Sequence, residues 1–316
     1  VAAGLAAALA LLASVLVGSS GLSPLRTLAA LAGHGDPLAV SILQTLRIPR
    51  SLSAFAVGNL LALAGVLLQA LFRNPLADPY VIGVSGGAAV GALAGMLGGA
   101  GMLALQWYAS VGALFVALTV MALGHGGQTL RLLLAGAVMA SACGALVTVL
   151  LTVADTGSLR GMVFWLAGDL GWSDHPWLDL GVAAVALVAA IVFGRTLNVL
   201  ASGELRSASV GLDIGRARFG VFAAASVLTA FAVLSAGSIG FVGLVAPHLA
   251  RLVLGTSNHR YVAPTAALMG GALVCLADIA SRTLAAPRQL PVGAVMALIG
   301  APVFLLLLRR SAPRAG

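Results

Sequence analysis

Residues 69–89 read QALFRNPLADPYVIGVSGGAA: an apolar run stops at Arg73, Asn74, two prolines and Asp78, then resumes through a glycine cluster. Pro75 and Pro79 lack an amide hydrogen and push the residue before each out of helical geometry, so a helix entering this stretch must end near Phe72. The run starts again only after Tyr80. Asn74 and Asp78 are costly in lipid, which places the elbow in a headgroup zone, in a protein-lined pore or against a partner. A plain loop is the simpler reading, and the elbow residues alone do not separate it from a moving part.

The rest of the chain repeats this pattern of apolar runs cut by isolated polar residues. The 316 residues are 60% hydrophobic and 8% charged, with mean hydropathy +1.09, against about 25% charge in an ordinary soluble domain. This is a polytopic membrane protein. Cutting at charges, prolines and polar clusters leaves ten runs able to cross a bilayer: 1–18, 50–71, 80–104, 107–124, 130–153, 178–194, 219–236, 240–254, 262–281 and 291–308. Runs this long and evenly apolar suit helices rather than barrel strands, because backbone groups in lipid must be satisfied internally. The expected fold is therefore all-α, with ten transmembrane helices. No basic segment precedes the first run, so it reads as a membrane helix rather than a cleaved signal.

All seventeen basic residues are arginine. A P-loop needs the lysine of GxxxxGK[ST], so the chain is not itself an ATPase and any ATP must be hydrolysed by a partner. The formal charge of +8 would suggest nucleic acid in a soluble chain, but here the arginines sit singly between apolar runs and form no patch. Cys143 and Cys275 fall mid-run, without metal or disulfide spacing. With both termini cytoplasmic, eleven arginines face inward and six (Arg26, Arg47, Arg50, Arg160, Arg282 and Arg288) face out, as the positive-inside rule favours. Gly87, Gly91 and Gly95 recur at the spacing that lets two helix backbones approach. Gly237, Gly240 and Gly243 suggest a tight turn between the seventh and eighth runs.

Six segments closely resemble the permease subunits of type II ABC importers for iron-siderophores, haem and cobalamin. They are RIPRSL (47–52), LLQALFRNPLADP (67–79), GVSGGAAVG (83–91), GSIGFVGLVAPHLARLVLG (237–255), LADIASR (276–282) and LPVGAVMALIGAPVFLLLL (290–308), nearly spanning the chain in order. The resemblance implies one permease domain over 1–316 in a bacterial inner membrane, paired as a homodimer with a pathway on its axis. Two cytoplasmic ATPase subunits, which bind ATP and Mg, would lie below it and a periplasmic binding protein above. The resemblance further implies that the loop holding Asn74 and Leu76 contributes to the cytoplasmic gate. It places Arg47, Arg50 and Arg282 opposite acidic residues of the binding protein, a task that suits the planar arginine fork. Asp278, one turn before Arg282, offers that arginine an internal partner instead.

The segment 195–218 is too polar to span and has apolar residues at helical spacing, as in short helices on the inner surface. Its counterpart in the family is the coupling element that fits a cleft on the ATPase, which makes Glu204, Arg206, Gly211 and Leu212 the expected contact. The stretch 155–177 carries Trp165, Trp172 and Trp177, which an aromatic belt would explain. Yet 161–168 is apolar, glycine-bounded and too short to cross, and reads as a re-entrant or vestibule helix.

Arg160 then lies near the pathway mouth, twice in a dimer, suited to the propionates of haem or the carboxylates of a siderophore. With that arginine, and because the 155–177 stretch resembles that of haem permeases, haem is the first expectation for the transported substrate, with ferric siderophore and cobalamin behind it. No cofactor is expected on the subunit itself. His34, His125, His175, His248 and His259 lie in loops or an inner helix and make no haem or metal ligand set. An ion-coupled secondary transporter is the rival class. It would carry ionisable groups near the bilayer midplane, whereas here every acidic residue except Asp278 falls in a loop or at a span's end, and Asp278 has Arg282 within a turn.

Overall fold

The computed structural model describes residues 1–18, 23–34, 36–124, 129–172 and 175–311, and these contain helices and no strand. His125, Arg314 and the side chains of Trp172, Arg309 and Arg310 lie outside the described residues. In chain order the helices are α1 (Ala2–Leu16), α2 (Pro24–Leu31), α3 (Pro37–Ile42), α4 (Ile48–Phe72), α5 (Val84–Leu97), α6 (Met102–Leu123), α7 (Thr129–Val153), α8 (Thr156–Leu166), α9 (Pro176–Val192), α10 (Gly194–Ala201), α11 (Glu204–Ser209), α12 (Ile214–Ala236), α13 (Val242–Leu254), α14 (His259–Thr283) and α15 (Val292–Ser311). The ten expected spans correspond to α1, α4, α5, α6, α7, α9, α12, α13, α14 and α15. The vestibule helix begins five residues earlier than its apolar core suggested, because Asp155 caps it by accepting from the Gly157 and Ser158 amides.

Two helices are absent from the sequence expectation. Helices α2 and α3 each begin with proline in the first turn behind a capping side chain, Ser23 accepting from the Arg26 amide and Asp36 from the Leu38 amide. That pairing of cap and proline is a helix-start signal. A single π turn, Leu43–Arg47, then joins α3 to α4.

Helix α4 is the axle of the bundle. It packs against α9, α12, α13 and α14 and is buried on nearly every side, as expected of a helix that is hydrophobic all round. Its close neighbours are fitted by glycine. A Cβ on Gly58 would meet the Gly270 carbonyl of α14 at 2.2 Å, and one on Gly65 would meet the Gly243 carbonyl of α13 at 2.1 Å. Gly243 is thus a packing residue inside α13, not part of the turn the sequence suggested. The turn itself is made by Gly237, at φ 64°. The glycine face of α5 packs as expected: Gly87 lies against Gly112, and Gly91 against Tyr108, both on α6.

Helices α5 and α13 have 14 and 13 residues, about 20 Å each, short of the ~30 Å apolar core. Of the stretches that precede them, residues 77–79 and Ile239 are buried in the protein, where irregular backbone finds partners, while residues 73–76 are exposed. By contrast α6, α7 and α15 present Leu114, Phe115, Leu134, Val138, Val149, Leu298 and Leu305 outward, an apolar surface suited to lipid or to a second subunit.

Candidate functional site

Where α4 begins and α1 and α14 end, three helices are joined by a buried charge cluster. Asp278 of α14, completely buried, is held by Arg50 of α4 at 2.9 Å and by Arg282 at 2.9 Å. Arg282 also donates to the Ser14 carbonyl at 3.1 Å, and Arg47 to the Leu16 carbonyl at 2.8 Å and to Thr27 Oγ1 at 3.0 Å. The last carbonyls of a helix have no partner within it and carry its negative pole, so two guanidinium groups satisfy and stabilise the end of α1. Arg47 and Arg282 are each only 4% exposed. The open presentation that docking requires is therefore not theirs in this structure, and the internal partner considered for Arg282 is the one it has. Arg50 reaches nearer the surface, where it donates to Gln289 Oε1 at 3.3 Å.

The 155–177 segment is sewn to the core through its backbone. The Asp169 amide donates to the Ala236 carbonyl at 2.9 Å, and the Val292 amide to the Gly168 carbonyl at 2.8 Å. Trp165 is buried and so is no belt residue, whereas Trp177 is exposed. Hydrogen bonds from Ser158 hold the Asp155 carboxyl below its ordinary range. Arg160 is exposed, its guanidinium 5.7 Å from the centroid of the Phe164 ring, a cation–π spacing that stiffens a long side chain.

The elbow of residues 73–83 is a turn braced by its own side chains. Arg73 closes α4 in the left-handed region, Asn74 Oδ1 accepts from the Leu76 amide at 2.9 Å, and Asp78 Oδ1 accepts from the Tyr80 amide at 2.8 Å. Asn74 and Leu76 are exposed at its tip. Tyr80 Oη accepts from the Ile239 amide at 2.6 Å, tying the elbow to the break between α12 and α13.

Burial pushes the Asp78 carboxyl up to about 6, although its hydrogen bond from Tyr80 opposes the shift. The native state therefore binds this proton more tightly than the unfolded chain, whose aspartates titrate near 3.9. The stabilisation is fully present below about pH 4 and is lost as pH rises through about 6. Asp78→Asn retains Oδ1 for the Tyr80 amide. In detergent solution the natural chain is expected to lose more thermal midpoint across that window than the variant; parallel curves would show that Asp78 does not titrate there.

Helices α10 and α11 form the polar segment, α10 turning 61° away from α9. Asn198 anchors α10 to the start of α14, accepting from the His259 amide at 2.9 Å and donating to Asn258 Oδ1 at 2.9 Å. The His259 ring is within 2.7 Å of the same Asn198 oxygen. No cluster of three metal-ligating side chains occurs among the described residues. Glu204, Arg206 and Gly211 are exposed, Leu212 is half-buried, and Leu205 and Val210 project apolar side chains outward beside them. Glu204 pairs with Arg73 of the elbow and with Arg218 of α12. Sequence reasoning placed Glu204 against a partner and did not foresee these bonds, which join residues 131 and 14 positions apart.

One buried acid was also missed. Asp179, placed at a span's end by its sequence position, lies inside the bundle and accepts from Ser235 Oγ at 2.6 Å.

The FecCD transport family matches residues 6–310. The chain is 43% identical to the cobalamin import system permease protein BtuC of Halobacterium salinarum over 283 residues, 87% of this chain and 75% of that one. It is 38% identical to the vitamin B12 import system permease protein BtuC of Shigella sonnei over 312 residues, 96% and 92% of the two chains. Among solved structures, a metal-chelate type ABC transporter in an inward-facing conformation superposes with a TM-score of 0.87 at 29% identity, covering 98% of each chain. An all-helical bundle built around a buried α4, with these matches along almost its whole length, belongs to the FecCD transport family: the chain is a multi-pass permease subunit of a type II ABC importer.

Proposed function

We propose that this permease carries cobalamin inward across the inner membrane, with both termini in the cytoplasm. The observation that carries the cargo is the naming of two relatives, from Halobacterium and Shigella, for cobalamin and vitamin B12 import. This reading replaces haem, which rested on Arg160 and on a likeness of the 155–177 stretch to haem permeases. An exposed arginine braced on Phe164 serves the phosphodiester of cobalamin as well as a propionate.

In this reading two copies pair through exposed apolar helices and enclose a pathway with Arg160 at its outer mouth. A periplasmic binding protein docks on the outer rim, where Arg50 is the best placed of the three arginines; Arg47 and Arg282 shape that rim from below by holding the end of α1. Two ATPase subunits, carrying ATP and Mg, seat on α10 and α11, where Leu205, Arg206, Gly211 and Leu212 form the contact. The exposed tip at Asn74 and Leu76 closes the inner end. Alternating access then needs only that the seat and the tip move together.

The test is uptake into proteoliposomes holding this subunit and its ATPase, with cobalamin, a ferric hydroxamate and haem offered in parallel on loaded binding proteins. ATP-dependent accumulation of cobalamin is expected. Accumulation of haem or the hydroxamate instead would overturn the cargo, and uptake driven by an ion gradient without ATP would overturn the mechanism.

A further inference from the structure

The end of α4 and the elbow that follows it are held by three ties of different character. Gln69, buried, donates to the Gly243 carbonyl of α13 at 3.0 Å and accepts from Arg251 Nη1 at 2.7 Å. Tyr80 accepts from the Ile239 amide in a part-buried setting. The third tie is an ion pair, Arg73 Nη2 to Glu204 Oε1 at 3.4 Å, with side chains 39% and 54% exposed. Hydrogen bonds sheltered from water resist exchange, whereas an exposed ion pair contributes little and breaks readily. The elbow is therefore fastened on its inner side and lightly held on the side facing α11.

Two further observations give that light tie a direction. The same Glu204 oxygen is gripped by Arg218, whose side chain is only 9% exposed, so Glu204 stays fastened to α12 when Arg73 lets go. Arg73 is also the residue on which α4 ends, at φ 50° and ψ 36°, with its guanidinium lying over Gly203. A non-glycine residue in the left-handed region sits above its preferred conformation. The residue that turns the chain out of α4 and the elbow's only charged contact with α11 among the described residues are thus one residue.

We propose that the Arg73–Glu204 ion pair is the link through which the ATPase seat on α10 and α11 steers the inner gate, Arg73 acting as a positioning residue for Asn74 and Leu76. The proposal rests on the reading of that segment as the seat and of the elbow as the gate. Displacement of α11 carries Glu204, still paired with Arg218 of α12, and the elbow follows or is released according to whether Arg73 remains paired.

The test is a double-mutant cycle on the reconstituted importer, reading cargo moved per ATP hydrolysed, with R73Q, E204Q and the double variant. Each single change is expected to lower that ratio about two- to fivefold, the range open to an exposed pair, and the double variant to fall no further. A second readout is the rate at which a thiol reagent labels Leu76→Cys, with and without ATP. This rate is expected to change with ATP in the natural background and to stop responding in R73Q. Losses that multiply in the double variant, an R73Q ratio equal to the natural one, or an unaltered ATP response at position 76 would each overturn the link. Failure of the natural complex to accumulate cargo with ATP would instead overturn the functional reading beneath it.

Discussion

Asp278→Ala is expected to destabilise the folded subunit by about 3–5 kcal/mol, the cost of breaking a buried ion pair from one side. Asp278 is fully buried between Arg50 and Arg282 and is the acid that both of them hold. Its removal leaves two like charges facing each other with no carboxylate between them. The two do not suffer equally. Arg50 retains a route toward water beside Gln289, while the Arg282 side chain, 5% exposed, has only the end of α1 and its own helix to turn to. Asp278→Ala combined with Arg282→Met should therefore recover part of the loss, because the more deeply stranded charge leaves with its partner. Thermal unfolding of the purified subunit in detergent measures both. A single variant within about 1 kcal/mol of the natural chain would mean that the cluster is solvated in practice and that its charges stand apart.

The second large effect comes from a residue with no side chain. Gly65→Val should cost about 3 kcal/mol or more, at the upper end of overpacking penalties. A Cβ at position 65 would lie 2.1 Å from the Gly243 carbonyl, which is backbone and cannot swing aside. Helices α4 and α13 must then separate, and the neighbouring bond from Gln69 to that same carbonyl stretches with them. Gly144→Ala on α7 is the control, since a Cβ there meets nothing within 4 Å. Equal midpoints for the two variants would show that α4 and α13 do not approach as closely as described.

What was legible in the sequence follows from where the physics is local. The ten spans could be read because exclusion of polar groups from lipid acts residue by residue. The α5–α6 packing face was legible because its glycines repeat at helical spacing. Helices α2 and α3 carried their caps and prolines in plain view, but their short amphipathic faces fell below a search for spans. The Asp278 partner of Arg282 was legible one turn away, but the bonds from Arg47 and Arg282 to the end of α1 were not. Whether an arginine at an outer helix end faces water or the carbonyls of another helix depends on where α1 ends in space, and α1 lies 31 and 268 residues away along the chain from the two contacts concerned. The same holds for Glu204, whose partners come from both sides of it in sequence. The elbow was recognisable from two prolines; the bond that ties Tyr80 to Ile239 was not.

The glycine notches of α4 also impose a waiting time. Gly58 and Gly65 fit against Gly270 and Gly243, which the ribosome delivers roughly 180–210 residues later, or about 10–40 s at ordinary rates of synthesis. Throughout that interval the future centre of the bundle lacks the glycines that fit its notches, and Gln69 lacks both Gly243 and Arg251. Assembly of this subunit is thus a late closure around an early helix, and whatever chaperones the nascent chain must hold a finished axle until its bearings arrive.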